Sequence, residues 1–147
     1  MDKPDFVYVT YISTSPEKLW KALLDPETTA KYWQHTNVSD WKPGSKWEHR
    51  RADKERTVVL VGKVLESTPP RRLVLTWAAP EDAAREEKHS RVTFELEPIG
   101  DVVRLTVTHD RFEPGSKMLP SIREGWPKVL SSLKSLLEAG HPLPRLW

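Results

Sequence analysis

His109 is the side chain in this sequence best suited to moving a proton. Imidazole titrates near neutral pH, and this one ends the alternating run Leu105-Thr106-Val107-Thr108-His109. Successive strand residues point to opposite faces, so His109 shares the inward face with Val103, Leu105 and Val107. A general acid or base there needs a dry cavity and a group to orient it. Asp110 points to the other face if the strand continues, so no orienting carboxylate is evident, and a hydrogen-bonded edge residue is the alternative role. By the same alternation His49 shares a face with Trp47, and Trp77 shares one with Leu73 and Leu75. If those faces meet, two imidazoles and two indoles border one interior. Other chemistry is missing from the sequence. His35, His49, His89, His109 and His141 have no metal-ligand spacing, and the absence of cysteine removes thiolate sites, disulfides and a cysteine nucleophile. There is no glycine-rich phosphate loop, and no serine stands in a nucleophile-elbow context. No catalytic residue beyond the candidate His109, no metal and no cofactor is expected.

The elements that must position these side chains follow from local pattern. Phe6 to Ile12 is aromatic and β-branched, which suits a strand. Ser15 and Pro16 read as N-cap and first helical position before the stripe Leu19, Trp20, Leu23. Asp25 and Pro26 repeat the signal at once and open a second short helix that ends near Trp33. After a turn at Lys42 to Gly44, strands are expected over Lys46 to Arg51, Thr57 to Ser67, Arg71 to Ala78, Arg91 to Glu97 and Val102 to His109. Thr68-Pro69-Pro70 closes one hairpin and Pro98-Ile99-Gly100-Asp101 another. Pro80 to His89 is a charged insertion, read as a solvated loop or helical turn that has the option of lidding a cavity. A long helix from about Pro120 to Ala139 carries the stripe Met118, Ile122, Trp126, Val129, Leu130, Leu133, Leu136 and Leu137. Gly125 and Pro127 flank Trp126: either the helix runs on with a kink that opens a gap beside Trp126, or it begins near Trp126 with Pro127 in its first turn.

The expected fold is therefore α+β, about six antiparallel strands with one long helix packed last across a sheet face. At 147 residues one domain is expected, large enough to bury roughly two thirds of its unfolded surface. A net charge of +2, with basic and acidic residues interleaved, favours neither nucleic acid nor an anionic membrane as partner. No apolar run approaches the roughly 20 residues of a membrane span, and Met1 to Asp5 has no leader pattern, so a cytoplasmic location is expected. On the same ground the glycosylation-type triplet Asn37-Val38-Ser39 is expected to be chance. The tail His141 to Trp147 ends in Leu146 and Trp147, and either packs back on its own domain or makes a homodimer contact.

Five stretches in order carry a resemblance. They are Ser15-Pro16-Glu17-Lys18-Leu19-Trp20-Lys21-Ala22-Leu23, Trp33, Pro43-Gly44-Ser45-Lys46-Trp47, Gly62 to Glu66 through Pro70-Arg71-Arg72-Leu73 to Trp77, and Leu105 to His109. Gly125-Trp126 with Val129, Leu130 and Leu133 completes the pattern. The chain resembles the SRPBCC (START-like, Bet v 1-like) superfamily, near its branch called activator of heat-shock protein 90 ATPase homologue 1-like. The resemblance implies a helix-grip fold: a curved antiparallel sheet around a long C-terminal helix, with two short helices closing one end. It also implies a cavity that in many relatives holds a small hydrophobic molecule such as a lipid, sterol, polyketide or flavonoid. Here the lining would be Trp33, Trp47, Trp77, Phe112, Met118, Ile122 and Trp126, with His49 and His109 as polar handles. The alternative is that these aromatics fill the core solidly. Some relatives cyclise or aromatise polyketides, which would assign that chemistry to His109. The family name also implies a stress-response, chaperone-binding role. The eukaryotic co-chaperone carries an extra N-terminal domain for much of that contact, so chaperone activation ranks below ligand binding here.

Overall fold

The computed structural model describes residues 5–144 of the chain. Its elements run β1 (Phe6–Ile12), α1 (Pro16–Leu24), α2 (Pro26–Trp33), β2 (His35–Val38), β3 (Lys46–Arg51), β4 (Val58–Thr68), β5 (Arg72–Trp77), β6 (Ser90–Ile99), β7 (Val102–Asp110) and α3 (Met118–Ala139). The strands form one antiparallel sheet in the order β1-β7-β6-β5-β4-β3-β2, which curls around α3. This is the expected α+β helix-grip architecture, with seven strands in place of about six.

The two short helices are set by their caps. Ser15 Oγ accepts from Lys18 N at 3.2 Å, and Pro16 occupies the first turn of α1, where a missing N–H is harmless. Asp25 serves both helices: its own N–H donates to Lys21 O at 2.8 Å and closes α1, while its Oδ2 accepts from Thr28 N at 3.1 Å and opens α2. Each side-chain cap contributes about 1 kcal/mol. Tyr32 OH donates to Ala22 O at 3.0 Å and locks α2 onto α1. Gln34 then takes the left-handed conformation (φ 60°), and the chain turns straight into β2.

The strand β2 is the element that the sequence reading lacks. His35-Thr36-Asn37-Val38 has one apolar residue, and its inward member, Asn37, is buried through hydrogen bonds. The hairpin between β6 and β7 is also tighter than expected. Pro98 and Ile99 are strand residues, Pro98 opposite Val103, and the turn is confined to Gly100 (φ 59°) and Asp101. Pairing to β5 ends at Arg72 opposite Glu95, so Pro98 lies where β6 has a free side and its missing N–H breaks no ladder.

The helix α3 begins at Met118, not Pro120, and runs unbroken through Pro127. The reading in which it begins near Trp126 is thus corrected. Burial decides the matter, because Ile122 before the proline and Trp126, Val129, Leu130 and Leu133 around and after it pack on one sheet. Burying side chains of this size contributes about 2 kcal/mol each, against roughly 3 kcal/mol for an interior proline. The charged segment after β5 folds as two single turns, Pro80–Asp82 and Glu86–Lys88, against the outer face of the sheet. There His89 bonds Thr76 Oγ1 and Asp82 O, both at 3.0 Å. The tail is described as far as Pro144; Ser132 Oγ accepts from Leu143 N at 3.3 Å, whereas Leu146 and Trp147 lie outside the described residues.

Candidate functional site: an aromatic cavity beside two locked histidines

Between α3 and the strands β3, β4 and β5 lies a cavity of about 510 Å³. Six residues named from sequence line it: Trp33, His49, Trp77, Met118, Ile122 and Trp126. The three indoles pack with ring centroids 5.4 to 6.4 Å apart, Trp33 stacked on Trp77 and Trp126 tilted on both, and so form an aromatic wall. Gly125 borders the same space, and nothing lies within 4 Å of where its Cβ would stand. Open space therefore lies beside Trp126 on this side of α3. His35, Val59, Leu60, Lys117, Ser121 and Val129 complete the lining. Sequence reasoning missed these six; among them only Val129 carried a signal, its place in the helical stripe. No residue of Pro80 to His89 lines this cavity, so that segment is not its lid.

Three expected lining residues lie elsewhere. Trp47 is fully buried behind the wall, where its Nε1–H donates to Thr76 O at 2.8 Å. Phe112 packs on the His109 ring at 4.5 Å and borders a separate recess. His109, with no exposed surface, sits behind Trp126 and does not line the cavity.

The hydrogen bonds around His109 define its protonation. An indole N–H only donates, so Trp126 Nε1–H, 3.1 Å from His109 Nδ1, requires a bare Nδ1. The proton of the neutral ring is then on Nε2, which donates to Ser90 Oγ at 2.8 Å, and Ser90 Oγ–H passes on to Trp77 O at 3.1 Å. Burial pushes the pKa of His109 down from 6.5 to about 3, only partly opposed by the Asp110 carboxylate. Asp110 itself faces outward and pairs with Arg91 at 2.8 Å. Both nitrogens of His109 are thus committed to the protein, and neither offers a lone pair or proton to a bound molecule.

His49 has the opposite tautomer. Asn37 Nδ2 donates to Leu23 O at 3.3 Å, which turns Asn37 Oδ1 toward His49 Nδ1 at 2.6 Å. A carbonyl oxygen only accepts, so Nδ1 carries the proton. Asn37 is held in turn by Thr29: Thr29 Oγ1 accepts from Asn37 N at 3.2 Å and donates to Pro26 O at 3.2 Å. His35 stacks on His49 with ring centroids 4.5 Å apart and planes within 9°. Burial first, and the nearby His35 second, keep the His49 pKa well below its ordinary value. Among the described residues no cluster of His, Asp and Glu could hold a metal ion, and no helix is long and apolar enough to cross a membrane.

A curled antiparallel sheet gripping a long C-terminal helix, with a cleft between them, defines the SRPBCC, START-like class of proteins. More narrowly, residues 13–138 match the family described as Activator of Hsp90 ATPase homolog 1-like protein, and the chain belongs to that family. Solved structures share the fold. One is the Aha1 dimer from Colwellia psychrerythraea, at 23% identity over 92% of this chain and 96% of that one, with a TM-score of 0.73. Another is an HSP90 activator from Plasmodium falciparum, at 23% identity over 93% and 96%, TM-score 0.71. CalU16 from Micromonospora echinospora is similar at 22% identity over 94% and 76%, TM-score 0.72. Among curated proteins none matches the chain.

Proposed function

We propose that this protein binds a small, flat, mainly apolar molecule in the cavity between sheet and α3. The observation that carries the reading is the cavity itself: about 510 Å³ walled by Trp33, Trp77 and Trp126, with His49 at its edge. An apolar concavity with few, fixed polar groups is the general form of a small-molecule site. Catalysis by His109 is the weaker reading, since a general base needs a free lone pair within reach of substrate and His109 donates and accepts only within the protein.

Because three indoles line the space, binding is expected to appear as saturable quenching of tryptophan fluorescence in a panel of fatty acids, sterols and polycyclic aromatics. Filling the cavity with Ile122→Trp is expected to weaken the best ligand at least about tenfold, with cooperative unfolding retained. Unchanged affinity in that variant would remove the cavity as the site.

A second reading, chaperone binding, is favoured by the family description over residues 13–138. It predicts that the purified protein alters the ATPase rate of heat-shock protein 90. An unaltered rate at large molar excess would reject it.

A further inference from the structure

Of the polar side chains that line the cavity, His49 is the most deeply buried, and its protonation is fixed before any ligand arrives. His49 is 3% exposed yet lines the cavity, and its proton is on Nδ1 because Asn37 Oδ1, 2.6 Å away, can only accept. The neutral ring therefore carries a lone pair at Nε2, which has no hydrogen-bond partner among the described residues. The ring cannot turn to present another atom. His35 stacks on it at 4.5 Å, Trp33 packs at 4.5 Å with a 56° tilt, and Asn37 is itself pinned by the Leu23 carbonyl. A buried acceptor left without a donor is costly, and burying a lone pair beside an apolar cleft suits a ligand that brings the missing proton.

We propose that the cavity selects its occupant through a hydrogen bond donated to His49 Nε2, so that the ligand is a flat apolar molecule led by a neutral donor, of the phenol class. This rests on the reading of the cavity as a ligand site and adds the polarity of the group it recognises. A carboxylate entering at His49 would set its own lone pairs against that of Nε2, while the lysine of the lining, Lys117, is exposed at the start of α3 and not buried beside His49. The relay that sets this preference begins outside the cavity: the Leu23 carbonyl of α1 orients Asn37, Asn37 orients His49, and His49 faces the ligand. Asn37 is thus a positioning residue.

The test compares three molecules of one shape on the full chain by tryptophan fluorescence: 4-phenylphenol, its methyl ether 4-methoxybiphenyl, and biphenyl-4-carboxylate. The phenol is expected to bind about tenfold more tightly than the ether, although the ether has the larger apolar area, and the carboxylate no more tightly than the ether. In His49→Phe the phenol and ether should bind within about twofold of each other. Ring nitrogen-15 spectra of the unmutated protein supply a readout that does not depend on the variant folding. They should show His49 protonated at Nδ1, with the Nε2 resonance moving on addition of the phenol and not of the ether. Equal binding of phenol and ether, or a proton found on Nε2, would overturn the inference and leave the cavity reading standing. Failure of all three molecules to bind would overturn both.

Discussion

Lowering the pH from 7 to 5 is expected to remove at least about 2 kcal/mol of folding stability through buried histidine alone. His109 titrates near its ordinary 6.5 once unfolded but at about 3 when folded. Between those values the unfolded chain binds a proton that the native state refuses, so stability falls as pH falls. The contribution is fully present above pH 6.5 and is lost progressively below it. His49, held low by burial and by His35, shifts in the same direction and adds to the loss. Asp40 and Glu138, whose pKa values are depressed by hydrogen bonds to their carboxylates, lose their own contributions mainly further down, as pH falls through the ordinary carboxylate range. The measurement is the urea midpoint at pH 7, 6 and 5, followed by tryptophan fluorescence. The slope should approach about 1.4 kcal/mol per pH unit for each histidine. His109→Phe leaves Trp126 Nε1 and Ser90 Oγ without their partner, so it should be less stable at pH 7, yet less sensitive to acid. A midpoint flat from pH 7 to 5 would mean that both rings accept protons in the folded state, and the tautomers deduced for them would fall.

The same two histidines mark where the sequence was legible. Alternation places His49 and His109 on the inner face correctly, because side-chain parity follows from strand geometry alone. Parity says which face, however, and not what stands in front. Trp126, arriving from α3, comes between His109 and the cavity, and Trp33, from α2, packs on His49 at 4.5 Å. Those contacts join residues far apart in the chain, which no local pattern encodes. The strand β2 escaped for a different reason. Hydrophobic periodicity finds residues that are buried because they are apolar, while Asn37 is buried because Leu23 O, Thr29 Oγ1 and His49 Nδ1 satisfy it. The two short helices were legible to the residue at their starts, since Ser15-Pro16 and Asp25-Pro26 carry cap and first turn in adjacent positions. At Pro127 local chemistry left two outcomes open, and burial on both sides of it chose between them.

Replacing Gly62 by alanine is expected to be among the most damaging single changes in the molecule, costing about 3 kcal/mol. Gly62 lies on β4, opposite Trp47 of β3, with Thr76 of β5 on its other side. The Trp47 indole reaches across it to donate to the Thr76 carbonyl at 2.8 Å, so the ring lies where a side chain on β4 would stand. A methyl group built on Gly62 overlaps both the Thr76 carbonyl oxygen and the Trp47 indole nitrogen, one of them backbone and neither able to yield without loss. Either β4 and β5 separate locally, or Trp47 leaves and abandons a hydrogen bond at the centre of the core. Gly62 is outside the left-handed region, so the requirement is for space and not for a backbone angle that alanine cannot adopt. Gly125→Ala is the matched control: it adds the same methyl where nothing lies within 4 Å, inside a helix, and should be neutral or stabilising by up to about 1 kcal/mol. Because Trp47 packs on Trp77 at 5.4 Å and on His49 at 6.4 Å, the damage should reach the cavity. Gly62→Ala should therefore lower ligand affinity as well as the urea midpoint. Equal midpoints for Gly62→Ala and Gly125→Ala would show that the indole does not cross β4 here, and the support it gives to the aromatic wall would have to come from elsewhere.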